Sequence, residues 1–293
     1  MDVLSRVALA TCADVPEGDD EAAPVIAALA RHGVDATPAV WDDEKVDWSA
    51  FDLVVIRSTW DYPDRREQFL AWAETLPAVL NPLEVLRWNT DKRYLQALGD
   101  DAVPTTFVEP GQSFRPPDSA FVLKPAVGAG SIGAARYEAG DARAEAHVFE
   151  LHATGKTVMV QPYLSAVDSA GETALIYVDD SLSHAVHKSP LLVPGAEPGS
   201  GLYLEETVRE TKAAPEQLQV AERALDAIPF QRNDLLYARI DLLPGPLVLE
   251  VELTEPSLFF GYAEGAAERF ADAIAAASQR RRISAENGPT TSQ

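Results

Sequence analysis

Ala238-Arg239-Ile240-Asp241-Leu242 and Leu249-Glu250-Val251-Glu252-Leu253 decide how this chain is read. Each stretch alternates apolar and charged residues, the period of a strand with one buried face. Pro244-Gly245-Pro246 lies between them, so the pair reads as a hairpin. Alternation puts Arg239 and Asp241 on one face, and Glu250 and Glu252 on one face of the returning strand. A hairpin can align those faces. Three carboxylates on one apolar-flanked surface repel unless a cation neutralises them. Hard oxygen donors of this kind suit Mg²⁺, which also bridges to phosphates. The plainer alternative is an exposed acidic sheet face, which explains the carboxylates but not the apolar residues at the flanking positions.

Upstream, Phe121-Val122-Leu123-Lys124 reads as a strand and residues 134–137 as a returning one. Between them, Gly128-Ala129-Gly130-Ser131-Ile132-Gly133 matches G-x-G-x-x-G. A dinucleotide site would need a helix to begin inside this motif, with its N-terminus on the pyrophosphate. Strand follows instead. That suits a flap whose amides close over phosphates; a plain flexible hairpin is the alternative. Lys124 ends a buried-looking strand beside the loop, and lysine is costly to bury without an anionic partner. Lys92, in Asn89-Thr90-Asp91-Lys92-Arg93, falls early in a helix, where most lysines are simply solvated. The P-loop pattern G-x-x-x-x-G-K-[ST] does not occur.

The N-terminus reads β-α-β, with strands over 6–11, 35–40 and 53–56 and a helix over 20–32. This implies a parallel sheet that binds ligands beyond the carboxyl ends of its strands. Arg57-Ser58-Thr59-Trp60-Asp61-Tyr62-Pro63 follows such an end. Further helices are expected over 64–75, 83–98 (in two pieces), 142–152, 215–228 and 263–278. Further strands are expected over 104–107, 158–161, 173–178 and 182–186. The expected units are an N-terminal Rossmann-like α/β unit, 1–82; a central unit carrying the flap, 83–160; a C-terminal unit carrying the hairpin, 161–279; and a disordered tail, 280–293.

With 293 residues, 46% of them hydrophobic, the chain can bury a large core. Its net charge of -22 repels phosphate backbones and anionic lipid heads, so neither nucleic acid nor membrane is an expected partner. Cys12 is the single cysteine, which rules out an intrachain disulfide and fits a reducing cytosol. It ends an apolar run and reads as a small core residue. No signal peptide and no span of roughly 18 apolar residues is seen, so a cytoplasmic protein is expected. His32, His147, His152, His184 and His187 have no convincing metal-ligand spacing.

In this order and spacing, the pieces resemble the ATP-grasp superfamily, especially its glutathione synthetase-like branch, over nearly the whole chain. The resemblance implies an α/β fold in which an N-terminal Rossmann-like domain precedes two α+β subdomains that clasp ATP. It implies ATP as co-substrate and Mg²⁺, two ions, as cofactor. Lys92 then lies near the α-phosphate, and Lys124 with Gly128, Gly130, Ser131 and Gly133 forms the second lysine and its flap. Gln161, Tyr163 and Leu164 belong to the hinge whose backbone reads adenine. Glu172 holds the ribose, and Lys188 reaches the terminal phosphates. Asp241 and Glu250 bind the metal. The third metal position, commonly asparagine in the family, is Glu252 here, which leaves open which glutamate bridges both ions. Arg239 steadies the acyl phosphate.

Within the branch, the segments 55–62, 81–95, 171–174 and 253–257 resemble O-ureido-serine cyclo-ligases of cycloserine biosynthesis. A member activates the carboxylate of that small amino acid and closes a five-membered ring within it. Arg57, Ser58 and Asp61 are then candidates for holding the amino-acid part; a strand-end turn packed on Trp60 and Tyr62 is the alternative. Two other functions stay open: an intermolecular carboxylate–amine ligase, and a nucleotide-binding protein without catalysis. Monomer and homo-oligomer are both left open.

Overall fold

The computed structural model describes residues Ser5–Glu286. The N-terminal unit comprises β1 (Ser5–Thr11), α1 (Ala22–Arg31), β2 (Val34–Val40), β3 (Leu53–Ser58), α2 (Arg66–Thr75) and β4 (Val79–Leu80). Its strands are parallel, in the order β2-β1-β3-β4. Every residue of β3 is buried, because helices cover both faces of the sheet. Alternate residues go to opposite cores. Val7, Leu9, Leu53 and Val55 meet α1, whereas Ala8, Ala10, Val54 and Ile56 meet α2 and an aromatic group around Trp41 and Phe69.

Next come α3 (Leu83–Asn89) and a 3-10 segment over Lys92–Asp101, the two pieces expected of 83–98. The second sheet contains β5 (Thr106–Val108), β6 (Phe121–Pro125), β7 (Ala135–Tyr137) and, after α4 (Arg143–Ala153), β8 (Val158–Pro162). Its order is β5-β8-β6-β7, all antiparallel. The chain then forms α5 (Val167–Ala170), β9 (Glu172–Val178), β10 (Ser181–Lys188), β11 (Val208–Thr211), α6 (Pro215–Ala227), β12 (Tyr237–Leu243), β13 (Leu247–Glu252) and α7 (Ala266–Glu286). The third sheet, β11-β10-β9-β12-β13, is again antiparallel.

Helix α6 packs its Val220, Ala221 and Leu225 on one face of this third sheet. Helix α7 packs Phe270 and Ile274 on the other, and its same apolar cluster includes Val25 and Leu29 of α1. A single core therefore joins the N-terminal unit to the C-terminal sheet, which fixes the strand ends of one against the hairpin of the other.

Three details differ from the sequence expectation. Arg57 and Ser58 belong to β3 rather than to the turn after it. The short elements β4, β11 and α5 were not expected; β11 is Val-Arg-Glu-Thr, too brief and too polar to stand out. Helix α7 continues through Glu286, so 280–286 of the expected disordered tail are helical, and 287–293 lie outside the described residues.

Candidate active site

The hairpin β12–β13 aligns the two charged faces, with a register shift between Asp241 and Leu242. Arg239 faces Glu252 and Asp241 faces Glu250 across the ladder. It is clamped by asparagine side chains. Asn89 Nδ2 donates to Val251 O (2.6 Å), while its Oδ1 accepts from Leu253 N (2.8 Å) and Thr254 Oγ1 (3.0 Å). Asn81 Nδ2 donates to Tyr237 O (2.9 Å) and Leu253 O (2.8 Å), and Asn81 Oδ1 accepts from Leu236 N (2.7 Å). Both asparagines are buried, so each replaces water for backbone groups that would otherwise lack a partner.

The hairpin forms one wall of a cavity of about 730 Å³, a size usual for a small-molecule site. The flap, the hinge after β8, β10 and the N-terminal unit complete it. Four cations line it: Lys92, Lys124, Lys188 and Arg239. Each is paired with a carboxylate. Lys124 Nζ is 2.7 Å from Glu250 Oε1, and Lys92 Nζ is 3.7 Å from Glu250 Oε2. Lys92 Nζ also donates to Gly128 O of the flap (2.6 Å). Lys188 Nζ is 2.9 Å from Asp241 Oδ2, 2.9 Å from Glu206 Oε1 and 3.3 Å from Glu172 Oε2. Arg239 donates to both oxygens of Asp241 (2.8 and 2.9 Å), to Glu252 Oε1 (2.6 Å) and to Ser257 O (2.9 Å).

These contacts set the charge states. Burial opposes ionisation of Glu250, but Lys124 and Lys92 hold it well below the usual carboxylate range. Burial likewise opposes ionisation of Asp241, and Arg239 and Lys188 overcome it, so its pKa is lowered. Glu252 is pushed up to about 8 by burial and by the charges of Asp241 and Glu250, against the pull of Arg239. Lys188 loses solvation, yet Asp241, Glu172 and Glu206 keep it firmly protonated.

The carboxylates suit a hard divalent cation by donor type. Among the described residues, no three of them converge as a closed metal cage, since lysine and arginine already engage their oxygens. Mg²⁺ does not require such a cage: it commonly takes one or two carboxylates and completes its shell with water and phosphate. The register-opposed pair Asp241 and Glu250, in a cavity with three lysines, fits that pattern.

The flap folds as a tight loop with Gly130 and Ser131 both at φ 59°. At Gly130 a side chain is excluded twice, because an added Cβ would also lie 2.6 Å from Cβ of Tyr203. The loop 189–207 lies against the flap, with Leu204 N donating to Gly130 O and Gly133 N to Gly199 O, both at 3.0 Å. Gly128, Gly130 and Ser131 line the cavity; Gly133 faces the loop instead. Gln161, Tyr163, Leu164 and Glu172 also line it. The Gln161 side chain donates to Thr105 Oγ1 (2.8 Å), and the Tyr163 amide to Ala120 O (2.9 Å), so that amide is not available to a purine.

Arg57, Ser58 and Asp61 are not brought to the cavity, a correction to the sequence expectation. Arg57 is buried, 2.6 Å from Glu21 Oε2 and donating to Pro256 O. Ser58 shares a hydrogen bond with Thr11 (2.8 Å). Asp61 accepts from Trp41 Nε1 (2.8 Å) and pairs with Arg65. Each is used up in packing, while Trp60 and Tyr62 of the same turn do line the cavity. Sequence reasoning missed Glu206, which lies in a Gly/Pro-rich stretch with no periodicity to mark it. It also missed the clamp by Asn81 and Asn89; a polar residue at the end of an apolar helix was the available sign.

Residues 7–83 match the family model described as D-cycloserine synthetase DcsG, N-terminal domain. The cycloserine biosynthesis protein DcsG of Streptomyces lavendulae is 37% identical over 285 residues, covering 88% of this chain and 93% of that protein. The crystal structure of D-cycloserine synthetase DcsG superposes with a TM-score of 0.84 at 36% identity, over 94% of this chain and 100% of that one. A D-alanine–D-alanine ligase from Bacillus anthracis complexed with ATP shares the fold at a TM-score of 0.63 and 15% identity, over 97% and 100% of the two chains.

Proposed function

We infer the function from one premise: the chain belongs to the DcsG family of ATP-grasp ligases, enzymes that form a carbon–nitrogen bond. From it we propose that the chain uses Mg²⁺ and ATP to activate a carboxylate as an acyl phosphate, releasing ADP. The substrate we assign is O-ureido-serine: its oxygen-bound nitrogen attacks the acyl-phosphate carbon, inorganic phosphate leaves as the five-membered ring closes, and hydrolysis removes the carbamoyl group on that nitrogen as carbon dioxide and ammonia, giving cycloserine or a close analogue. The cytoplasm is the compartment we assign, where ATP is available and Cys12 stays reduced.

The observation that carries this reading is the pairing inside the cavity. Lys92 and Lys124 share Glu250, Lys188 holds Asp241, and Arg239 holds Asp241 and Glu252. Each cation is a ready partner for phosphate or carboxylate oxygen, and each carboxylate a ready partner for a metal. Asp241 and Glu250, with Glu252 beside them, would hold Mg²⁺, which when bound shields the charge between phosphates and attacking oxygen. Lys92 and Lys124 orient the phosphates under the flap, and Lys188 neutralises the terminal one. Arg239, fixed by Ser257 O, steadies the carboxylate being phosphorylated. Positioning and charge neutralisation do the work, and no covalent enzyme nucleophile is needed.

The test supplies Mg-ATP and candidate acids, each with and without an added amine. ADP and a cyclic product from O-ureido-serine alone are expected. An absolute requirement for the amine would make the protein an intermolecular ligase. Tight Mg-ATP binding with no ADP across a broad panel would leave it a nucleotide-binding protein.

A further inference from the structure

The carboxylates of the cavity differ in how they are paired, and the cavity's cations show it. Its four cations stand on β6, β10, β12 and the segment after α3. Trp60 and Tyr62 of the N-terminal unit and Glu255 of the stretch after β13 line the cavity too, and among the described residues no lysine or arginine lines it apart from those four. Glu255 differs from the other carboxylates that line the cavity without being exposed. Asp19, Glu21, Glu172, Glu206, Asp241, Glu250 and Glu252 each lie within 4.0 Å of a lysine or arginine nitrogen. Among the described residues Glu255 makes no such pair: Lys92 and Arg239 act on its charge only from beyond contact distance, and the polar side chain set against it is the Tyr62 hydroxyl.

Its backbone is fastened from two units of the fold. Trp60 Nε1 donates to Glu255 O (2.9 Å), and Arg57 Nη1 donates to Pro256 O (3.1 Å). Thr254, just before it, is buried and bonded to Asn89. Arg239 donates to Ser257 O on the same short stretch. An acid whose carboxylate faces Arg239 therefore has its α-carbon beside the loop that presents Glu255.

Resting on the proposed function, we propose that Glu255 is the residue that binds the α-ammonium of the amino-acid substrate and so determines its class. A partly buried carboxylate that no cation contacts is completed by a cationic ligand group. The same charge rejects a dicarboxylic acid, whose second carboxylate would be driven against it. Arg239 and Glu255 together then select a zwitterion, and Trp60 and Tyr62 beside them favour an uncharged, flat remainder.

The experiment compares O-ureido-serine with 3-(ureidooxy)propanoate, the same acid without its ammonium, in wild type, Glu255→Gln and Glu255→Asp. ADP release by wild type with O-ureido-serine tests the underlying reading by itself. For the inference, Glu255→Gln is expected to raise the KM for O-ureido-serine roughly 10- to 100-fold, the range for losing one charge-assisted hydrogen bond. The KM for the des-amino acid should not move, and Glu255→Asp should restore part of the loss. Equal losses on both acids, or a wild type indifferent to the ammonium, would overturn it. Should O-ureido-serine give no ADP, the same variants are compared on a panel of amino acids and their des-amino counterparts. There, loss of the preference for the ammonium in Glu255→Gln supports the inference and an unchanged preference overturns it.

Discussion

Arg57 and Arg239 invite comparison. Both residues are buried, 5% and 6% exposed. Both sit near an aromatic ring, Arg57 5.4 Å from the Phe270 centroid and Arg239 5.2 Å from that of Phe259. Both even donate to the same short stretch of chain, Arg57 to Pro256 O and Arg239 to Ser257 O. Their carboxylates differ. Glu21, the partner of Arg57, also accepts from the amides of Leu258 and Phe260, each at 2.8 Å. Its oxygens are fully committed to joining α1 to the 254–262 stretch. All three carboxylates line the cavity, but among the described residues Asp241 and Glu252, the partners of Arg239, receive only side chains. A buried charge is therefore not in itself a site. It becomes one when its partners can be exchanged for ligand atoms without unmaking backbone hydrogen bonds.

The largest effect that would break this contrast lies on the Arg239 side. Asp241→Asn keeps the shape but removes the charge shared by Arg239, Lys188 and the proposed metal. ADP release should fall roughly 10³-fold while circular dichroism reports an intact fold. Near-normal turnover would remove Asp241 from the site. On the other side, Arg57→Met leaves Glu21 buried without its cation. Denaturant unfolding should report a loss of about 3 kcal/mol, with the KM for the acid raised less than by Glu255→Gln, because Arg57 reaches the substrate only through the backbone of the loop that it holds. The reverse outcome, unchanged stability and a raised KM, would return Arg57 to the substrate site.

The smallest effect is a pH dependence that sharpens the second result. Burial raises the pKa of Glu21 above 4.5, although Arg57 opposes the shift. The folded chain thus holds this proton more readily than the unfolded one. The contribution of Glu21 is full below 4.5 and is lost as pH rises through its folded value. Removing Arg57 raises that value further. The stability deficit of Arg57→Met should be greatest near neutrality and should shrink on acidification. A deficit that grows with acid would mean that Glu21 is not the group left unpaired.

Much of this was legible in the order of residues. The hairpin needed only a period of two and a Pro-Gly-Pro turn, and alternation gave its charged face, while the register, with its shift between Asp241 and Leu242, is a finding of the structure. The flap was legible because strand, not helix, follows the glycines. Glu206, Asn81 and Glu255 carried no comparable sign. Each acts on a residue far along the chain, and a lone polar residue in a loop looks the same in sequence whether it faces water or a buried lysine.

By itself, then, the sequence determined the sheet-forming segments, the single face of Arg239, Asp241, Glu250 and Glu252, and the family. Local periodicity encodes the first two, because a side chain's direction depends only on its own strand; the family rests on the resemblance of the motifs in their order and spacing. Tertiary structure alone decided which charges are exchangeable. Arg57 and Arg239 are equally charged, each follows an apolar strand residue, and they are almost equally buried. Only the docking of α1 and α7 against the third sheet, driven by a shared apolar core, closes one of them in and leaves the other on the cavity wall.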